Sequence, residues 1–418
     1  MNPLKKSFII KWFCFFVPAL FLFVCSCSEP LKKTDIHKYY PLSRLSMEDY
    51  PAFTDDHGTK SLEKALRQSI SYYGKISPET KFEFGDDIYD AVHIRQSLEH
   101  FLDFIMIEPS EEQLQAFLKK HYVVYTTVRE LSDKDDKSDF SVMFTGYYEP
   151  SIEGSLIKDD IYCYPIYSRP SDLITVNLGR FSSKYKGDSS LSGRVNNRNE
   201  LVPYYTRAEI NSRAEFEKVA KPVVWLKSRI DRFFLEIQGS GRVILREGGV
   251  MRVQYNSKNG QPYRAIGKYL ADKGEIQKEK MSMQAIRRWL EMHPDRIDDV
   301  LHYNPSFVFF HEGKGGPYGC LGVEVTPMRS IATDVSIFPK GALCFIETTI
   351  PTEEESVTEN VLEWKEYAGF VLNQDTGGAI KGAGRADLFC GNGAYAEKVA
   401  GHMKQMGRLY FLVLKKAE

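Results

Sequence analysis

The chain has 418 residues, 43% of them hydrophobic and 13% aromatic, and a formal net charge of −1. That supplies cores for two or three domains of ordinary size and excludes a disordered or low-complexity protein. A nucleic-acid partner is not expected, because neutralising phosphates needs a basic surface and the 55 Lys and Arg are interspersed with 56 Asp and Glu.

Residues 1–26 read as a signal peptide. Lys5 and Lys6 make a basic start, and Trp12 to Val24 form an apolar core, broken by Pro18, that is too short for a comfortable membrane span. Small residues before a cysteine at the end of such a core resemble the bacterial lipobox, whose cysteine becomes the lipidated first residue of the mature protein. Cys27 fits better than Cys25, since Val24 is larger than the pattern usually accepts. By the same resemblance, Ser28 in place of Asp implies sorting to the outer membrane, with the chain anchored by lipid on its periplasmic face. An uncleaved signal anchor would also leave the rest of the chain outside the cytoplasm. Residues 27–58 mix Pro, Lys, Asp and Tyr without periodicity, as a tether would. The body cysteines, Cys163, Cys320, Cys344 and Cys390, have no metal-ligand spacing, and the nine histidines contain no HExxH motif, so neither metal nor cofactor is expected. Their spacing leaves disulfide pairing open.

Helices come next. Ser61 precedes a helical stripe of Leu62, Ala65, Leu66, Ile70 and Tyr73, and Ser110-Glu111-Glu112-Gln113 is a capping box. At Phe144-Thr145-Gly146-Tyr147-Tyr148-Glu149-Pro150 the pattern turns to β, and residues 172–199, rich in Ser, Gly, Asn and Arg, read as a long surface loop. Thr206-Arg207-Ala208-Glu209 starts a helix toward Ala220. Trp225 to Arg246 alternates as a β-hairpin would, with Gly239-Ser240-Gly241 as its turn. A helix with Met283, Ile286, Trp289 and Leu290 on one face ends at His293-Pro294. Beyond Asn304 short strands dominate: Phe307 to Phe310, Leu321 to Val323, Leu343 to Glu347 and Ala368 to Leu372. A helix from Ala394 to Met406, stopped by Gly407, and a strand from Leu409 to Leu414 close the chain. Such short strands without βαβ repeats argue for a small barrel over a doubly wound sheet.

The stretch from Gln374 to Phe389 sets Asp375 and Asp387 twelve residues apart, with four glycines and two cations between them. It can be a glycine-rich hairpin whose aspartates cap turns. It can also carry chemistry, because a carboxylic acid that protonates a glycosidic oxygen cleaves the bond as an oxocarbenium-like state develops. Burial among Ala386, Leu388 and Phe389 would raise the pKa of Asp387 and keep it a proton donor near neutrality. A third reading takes Asp375-Thr376-Gly377 as the loop of a dimeric aspartic peptidase, although Asn373 and Gln374 are polar where that loop is usually apolar.

Several motifs in order resemble one family. They are Phe144 to Pro150, Ile237-Gln238-Gly239-Ser240-Gly241, Asn259-Gly260-Gln261-Pro262-Tyr263, Asn304-Pro305-Ser306-Phe307, Asp375 to Gly382 and Arg385-Ala386-Asp387-Leu388-Phe389. Together, over roughly residues 122–415, they resemble membrane-bound lytic murein transglycosylase A. The resemblance implies a mainly β fold with flanking α-helices. A double-psi β-barrel catalytic domain, from residues 59–150 and 304–418, would face an inserted β-domain, residues 151–303, across a groove. It further implies cleavage of the β-1,4 MurNAc-GlcNAc bond of peptidoglycan glycan strands, leaving 1,6-anhydromuramic acid ends, and cell-wall synthesis proteins as further partners. By position Asp387 matches the catalytic acid/base, and Asp375 and Thr145 match residues lining the catalytic centre. Gln238, Tyr147, Tyr148, Tyr263, Gly377, Gly378, Lys381 and Arg385 would then contact the glycan, the tyrosines by stacking. Asp334 completes the three-aspartate signature, in a structural part. The chain departs from the family pattern at Gly384-Arg385-Ala386, where an aromatic residue usually precedes the catalytic aspartate, so the role of Arg385 is the least anchored. A non-catalytic glycan-binding lipoprotein on the same fold is the alternative, against which the intact Asp387 speaks.

Overall fold

The computed structural model describes residues 41–128, 140–182, 184–185, 190–352 and 363–416. The leader, Cys27 and the first part of the tether lie outside them. The N-terminal part runs β1 (Leu42–Arg44), α1 (Thr59–Tyr73), β2 (Lys81–Phe84), β3 (Asp87–Asp90), α2 (Ala91–Ile105), α3 (Glu111–His121), β4 (Tyr122–Thr127) and β5 (Val142–Glu149). The middle opens with β6 (Ser151–Ser155), β7 (Tyr164–Tyr167), β8 (Ile174–Asn177), β9 (Ser190–Val195), β10 (Leu201–Pro203), α4 (Arg207–Ser212) and β11 (Pro222–Leu226). It continues through α5 (Arg229–Gln238), β12 (Ser240–Leu245), β13 (Val250–Lys258), α6 (Ile266–Asp272), α7 (Met283–Met292), α8 (Ile297–His302) and β14 (Val308–Gly313). The last part is β15 (Ser330–Ala332), β16 (Leu343–Pro351), β17 (Trp364–Asp375), β18 (Arg385–Asn392), α9 (Ala394–His402) and β19 (Lys404–Leu414).

Six strands close into a barrel in the order β19-β16-β17-β15-β18-β5, with β5 pairing back to β19. Closure leaves no open edge within the ring. Apart from the three-residue β15, the ring strands are long and rich in β-branched and aromatic residues: β16 and β17 pair over nine positions, from Leu343↔Leu372 to Pro351↔Trp364. Outside the ring β4 and β1 extend from β19. Helices α1 and α2 pack onto the barrel through Leu62, Leu66, Ile94, Leu98 and Phe101, which share one buried core with Phe345, Phe370 and Phe411. The Ser110 capping box forms as expected and starts α3.

A second sheet, ordered β14-β13-β12-β6-β11-β7, takes its strands from between β5 and β15. The chain steps from barrel to second sheet across Pro150 alone, since β5 ends at Glu149 and β6 begins at Ser151. The return comes later than residue 304, because Val308–Gly313 still pairs with β13.

Several expectations need correction. The Trp225–Arg246 segment is a strand, a helix and a strand. Ser228 caps α5 by accepting from the Ile230 and Asp231 amides, and Gly239 ends it in the left-handed conformation at φ 78. Ile230, Phe233 and Phe234 also sit at helical spacing, so the apolar pattern did not distinguish the two periods. The real hairpin joins β12 to β13, turning at Gly248 (φ 102) and Gly249 (φ 84). Leu321–Val323 is a turn, bent at Gly322 (φ 67), with Tyr318 and Glu324 bridging across it. Residues 172–199 include β8 and β9, which with β10 form a three-stranded sheet. The helix from Thr206 stops at Ser212. Helix α9 stops at His402, and Gly407 lies inside β19, where a Cβ would come within 2.2 Å of the Glu347 carbonyl oxygen. It is a close-approach residue and not a helix stop.

Residues 41–58, expected as tether, belong to the fold. Leu42 and Phe53 are buried, and β1 pairs with β4. Asp55 takes both ends of the fully buried Arg329 guanidinium at 2.7 Å, while Arg329 also donates to Ser61 Oγ, the Gly58 carbonyl and the Phe370 carbonyl. This ties the segment before α1 to β17. Asp55→Ala should therefore lower unfolding free energy in urea by about 3 kcal/mol, the usual cost of leaving a buried charge without its partner.

Candidate active site

Strand register builds the site. Ala332 on β15 is the partner of Asp375 on β17 on one side and of Asp387 on β18 on the other. Asp387 in turn lies opposite Thr145 of β5. Register partners share a face of the sheet, so Asp375, Ala332, Asp387 and Thr145 form one row across four neighbouring strands. The sequence separation of the two aspartates is spent on the loop between β17 and β18. Asp334 fastens that loop: its Oδ2 accepts the Gly382 amide at 2.9 Å and its Oδ1 accepts from Ser336. Burial alone would raise the Asp334 pKa, but the Ser336 and Gly382 hydrogen bonds and Lys381 hold it below the ordinary value. Asp334 is thus structural.

The two acids of the row differ in their partners. Asp375 Oδ1 accepts the Thr376 amide at 2.8 Å and the Cys320 amide at 2.9 Å, and its Oδ2 accepts the Tyr147 hydroxyl at 2.8 Å. Burial pushes its pKa up against these three donors. Asp387 Oδ1 is buried and has no hydrogen-bond partner. Burial pushes the Asp387 carboxyl up to about 6, opposed by Arg385 and reinforced by the charge of Asp375. One carboxylate is held on both oxygens, and the other is free to carry a proton.

Thr145 Oγ1 and Arg385 Nε are likewise buried without partners. Thr145 is the register neighbour of Asp387, and Arg385 precedes it by two residues on the same face of β18. Buried polar groups are nearly always satisfied, so unmet atoms in one place mark where a ligand supplies the hydrogen bonds.

The remaining residues divide. Tyr147 reaches Asp375, and its ring packs on Phe389 at 5.1 Å between centroids. Tyr148 is buried in the main core cluster with 5% exposure, where Glu397, Arg287 and Asp231 act on its hydroxyl, so its ring is not presented for stacking. Gln238, at the end of α5, accepts the Tyr148 amide through Oε1 at 3.0 Å and ties the second sheet's helix to β5. Tyr263 is 41% exposed. Burial of its hydroxyl raises its pKa, and Arg385 and Asp387 are among the charges acting on it. Gly378 and Lys381 lie exposed on the β17–β18 loop with Gly377 beside them, and Lys381 Nζ stands 3.7 Å from Asp334. The Tyr263 loop is held by Asn259. Its Nδ2 donates to the Tyr205 and Pro305 carbonyls at 2.8 Å, and its Oδ1 accepts the Phe307 amide at 3.0 Å. Asn259 is thus a structural bolt.

Sequence reasoning missed Cys320, because its contribution is a backbone amide. The available signal was Gly319, where a Cβ would come within 2.4 Å of the Gln374 carbonyl oxygen. No side chain there permits the segment to lie against the Asp375 strand.

Comparison with known proteins agrees with this architecture. Residues 143–311 match the family model of the MltA specific insert domain, and residues 329–413 match that of the 3D domain. The membrane-bound lytic murein transglycosylase A of Escherichia coli K12 is 34% identical over 276 residues, 65% of this chain and 66% of that protein. The Vibrio cholerae protein of the same name is 31% identical over 278 residues, 66% of each. The chain thus matches about two thirds of the length of these relatives. Among solved structures, a membrane-bound lytic murein transglycosylase from Agrobacterium tumefaciens superposes with a TM-score of 0.70 at 28% identity, covering 90% of this chain and 98% of that one. Escherichia coli MltA with bound chitohexaose superposes with a TM-score of 0.60 at 26% identity, covering 90% and 95%. A closed barrel interrupted by a second sheet, with both matched models falling on those two parts, shows that the chain belongs to the membrane-bound lytic murein transglycosylase A family, peptidoglycan lytic transglycosylases.

Proposed function

We propose that this protein cleaves the β-1,4 bond between N-acetylmuramic acid and N-acetylglucosamine in peptidoglycan glycan strands and leaves 1,6-anhydromuramic acid ends, with Asp387 as the single acid and base. The observation that carries this is the buried, unpartnered Asp387 carboxyl oxygen, beside an Asp375 whose two oxygens are both occupied. Protonated Asp387 donates its proton to the glycosidic oxygen, and the bond to C1 of the muramic acid breaks as positive charge develops on that sugar. The sugar's own C6 hydroxyl attacks C1 and gives its proton to the Asp387 carboxylate. Asp387 ends protonated, as it began, and no water is consumed. Because the nucleophile is already part of the substrate, its effective molarity is high and no second residue has to hold a water. Asp375 stabilises the developing positive charge, and its donors fix it there. Thr145 and Arg385 offer hydrogen bonds to the sugar, Gln238 positions β5, and Tyr263 presents the aromatic face for stacking. Gly377, Gly378 and Lys381 form a rim where the glycan would lie.

The bound chitohexaose of the Escherichia coli relative supports a glycan strand as ligand, and the membrane-bound name of the relatives supports a peripheral membrane location. Lipidation at Cys27 and the periplasmic face of the outer membrane belong to the same proposal, with cell-wall synthesis proteins as partners.

Asp387→Asn tests the assignment. It should lower release of muropeptides by about a thousandfold, the scale of a lost general acid, with glycan binding kept. Turnover near the wild-type rate would move the acid role to another residue. Full loss of cleavage in the wild type, with binding intact, would leave a glycan-binding lipoprotein.

The raised Asp387 pKa fixes the pH dependence. The acid form is the active one, so kcat/KM should be level below about pH 6 and fall tenfold per unit above it. The folded-state pKa lies above the unfolded value, so the stabilising contribution is present at about pH 4 and lost as pH rises through 6. Asp387→Asn should accordingly raise stability at pH 8 by up to about 3 kcal/mol and leave it unchanged at pH 4, read by thermal unfolding at both values.

A further inference from the structure

Glu149 is the last residue of β5 before the chain crosses to the second sheet, and its side chain is 1% exposed. Both carboxyl oxygens are buried and neither has a partner at hydrogen-bond geometry, although the Asn392 side chain acts on the group. A buried acid in that state is expensive unless a charge compensates it. Among the described residues the guanidinium within ion-pair distance is that of Arg252 on β13, its Nε 3.6 Å from Glu149 Oε1. Arg242 on β12 also acts on the carboxyl. Arg252 does a second thing: its Nη1 donates to the Gly315 carbonyl. Beside it, Gln254 Nε2 donates to the Gly316 carbonyl at 2.9 Å. These two β13 side chains therefore hold the start of the segment that returns from the second sheet to the barrel.

That segment leads straight to the site. From Gly315 it turns through Pro317, whose carbonyl accepts the Val325 amide at 2.9 Å, to Cys320, whose amide donates to Asp375 Oδ1 at 2.9 Å. The segment is pinned on the second sheet by Arg252 and Gln254 and on the barrel by Asp375. We propose that Arg252, oriented by the buried Glu149, is a positioning residue that sets the 315–320 turn so that the Cys320 amide holds Asp375 beside the catalytic acid. This rests on the assignment of Asp387 above, and it gives the buried Glu149 a part to play at the crossing point. It also gives a reason for Arg in place of Lys: a guanidinium fork meets a carboxylate and a carbonyl together, and an ammonium presents one charged point.

Two readouts test it, one of them independent of any catalysis. Cys320 is an exposed residue whose thiol is turned toward the Gln374 carbonyl, 3.8 Å away, and desolvation there with the Asp375 charge pushes its pKa up to about 12, so little thiolate is present near neutrality and alkylation should be slow. In Arg252→Ala the released turn should carry the thiol away from the Gln374 carbonyl and the Asp375 charge, and alkylation at Cys320, followed by peptide mass spectrometry, should speed up by about tenfold. In the same variant kcat for glycan cleavage should fall by about tenfold with KM within a factor of two, because ground-state binding is untouched. Arg252→Lys keeps a cation against Glu149 and removes the fork, so it keeps the fold testable and should show both effects at intermediate size. Unchanged Cys320 alkylation in both variants would overturn the pinning. Faster alkylation with unchanged kcat would overturn the link to catalysis. A wild-type protein that cleaves no glycan would defeat the proposed function, while the alkylation rates would still decide whether Arg252 holds the turn.

Discussion

The closed register of the barrel is the constraint on which the site depends. Because Ala332 pairs with Asp375 on one flank and Asp387 on the other, the two acids stand two strands apart, about 10 Å between backbones, on the same side of the sheet. A slip of one residue in β15 or β18 would turn one of them to the opposite face. The ring from β19 round to β5 resists such slips, since every strand is paired on both sides. It also buries the acids, which separates their roles through the number of hydrogen bonds each receives.

The second sheet acts on this row through few contacts. Gln238 fixes β5 through the Tyr148 amide, Asn259 fixes the loop that presents Tyr263, and the returning segment delivers the Cys320 amide to Asp375. None of these contacts meets Asp387 Oδ1, which is left without a partner. Ionising that carboxyl costs stability, and the rest of the fold offsets it through interactions such as the buried Arg329–Asp55 pair, remote from the chemistry.

Much of this was legible in the sequence. Capping boxes at Ser110 and Thr206 mark real helix starts, the apolar run before Asp375 is a barrel strand, and the motifs around Thr145, Asp375 and Asp387 name the residues that register brings together. What the sequence hid has physical reasons. Phe233 to Gln238 satisfies two periods at once, so a helix was read as a strand. Gly407 reads as a helix stop until a carbonyl from a distant strand is seen against it. Tyr148 looks like a sugar platform next to Tyr147, but alternation along β5 sends it into the core. Backbone donors such as the Cys320 amide carry no residue-type signal at all. Residues 41–58 lack periodicity because scattered contacts hold them, among them β1 pairing, Phe53 and Asp55, and not a repeating face.

In the proposed mechanism one carboxyl group moves one proton out and back while the substrate supplies its own nucleophile. Digestion of peptidoglycan in water enriched in oxygen-18, with mass spectrometry of the released muropeptides, tests this directly. The account predicts muramic acid ends that have lost the elements of water and carry no label. Labelled reducing ends would contradict it, because they require a water at C1 and hence a base that this site does not use.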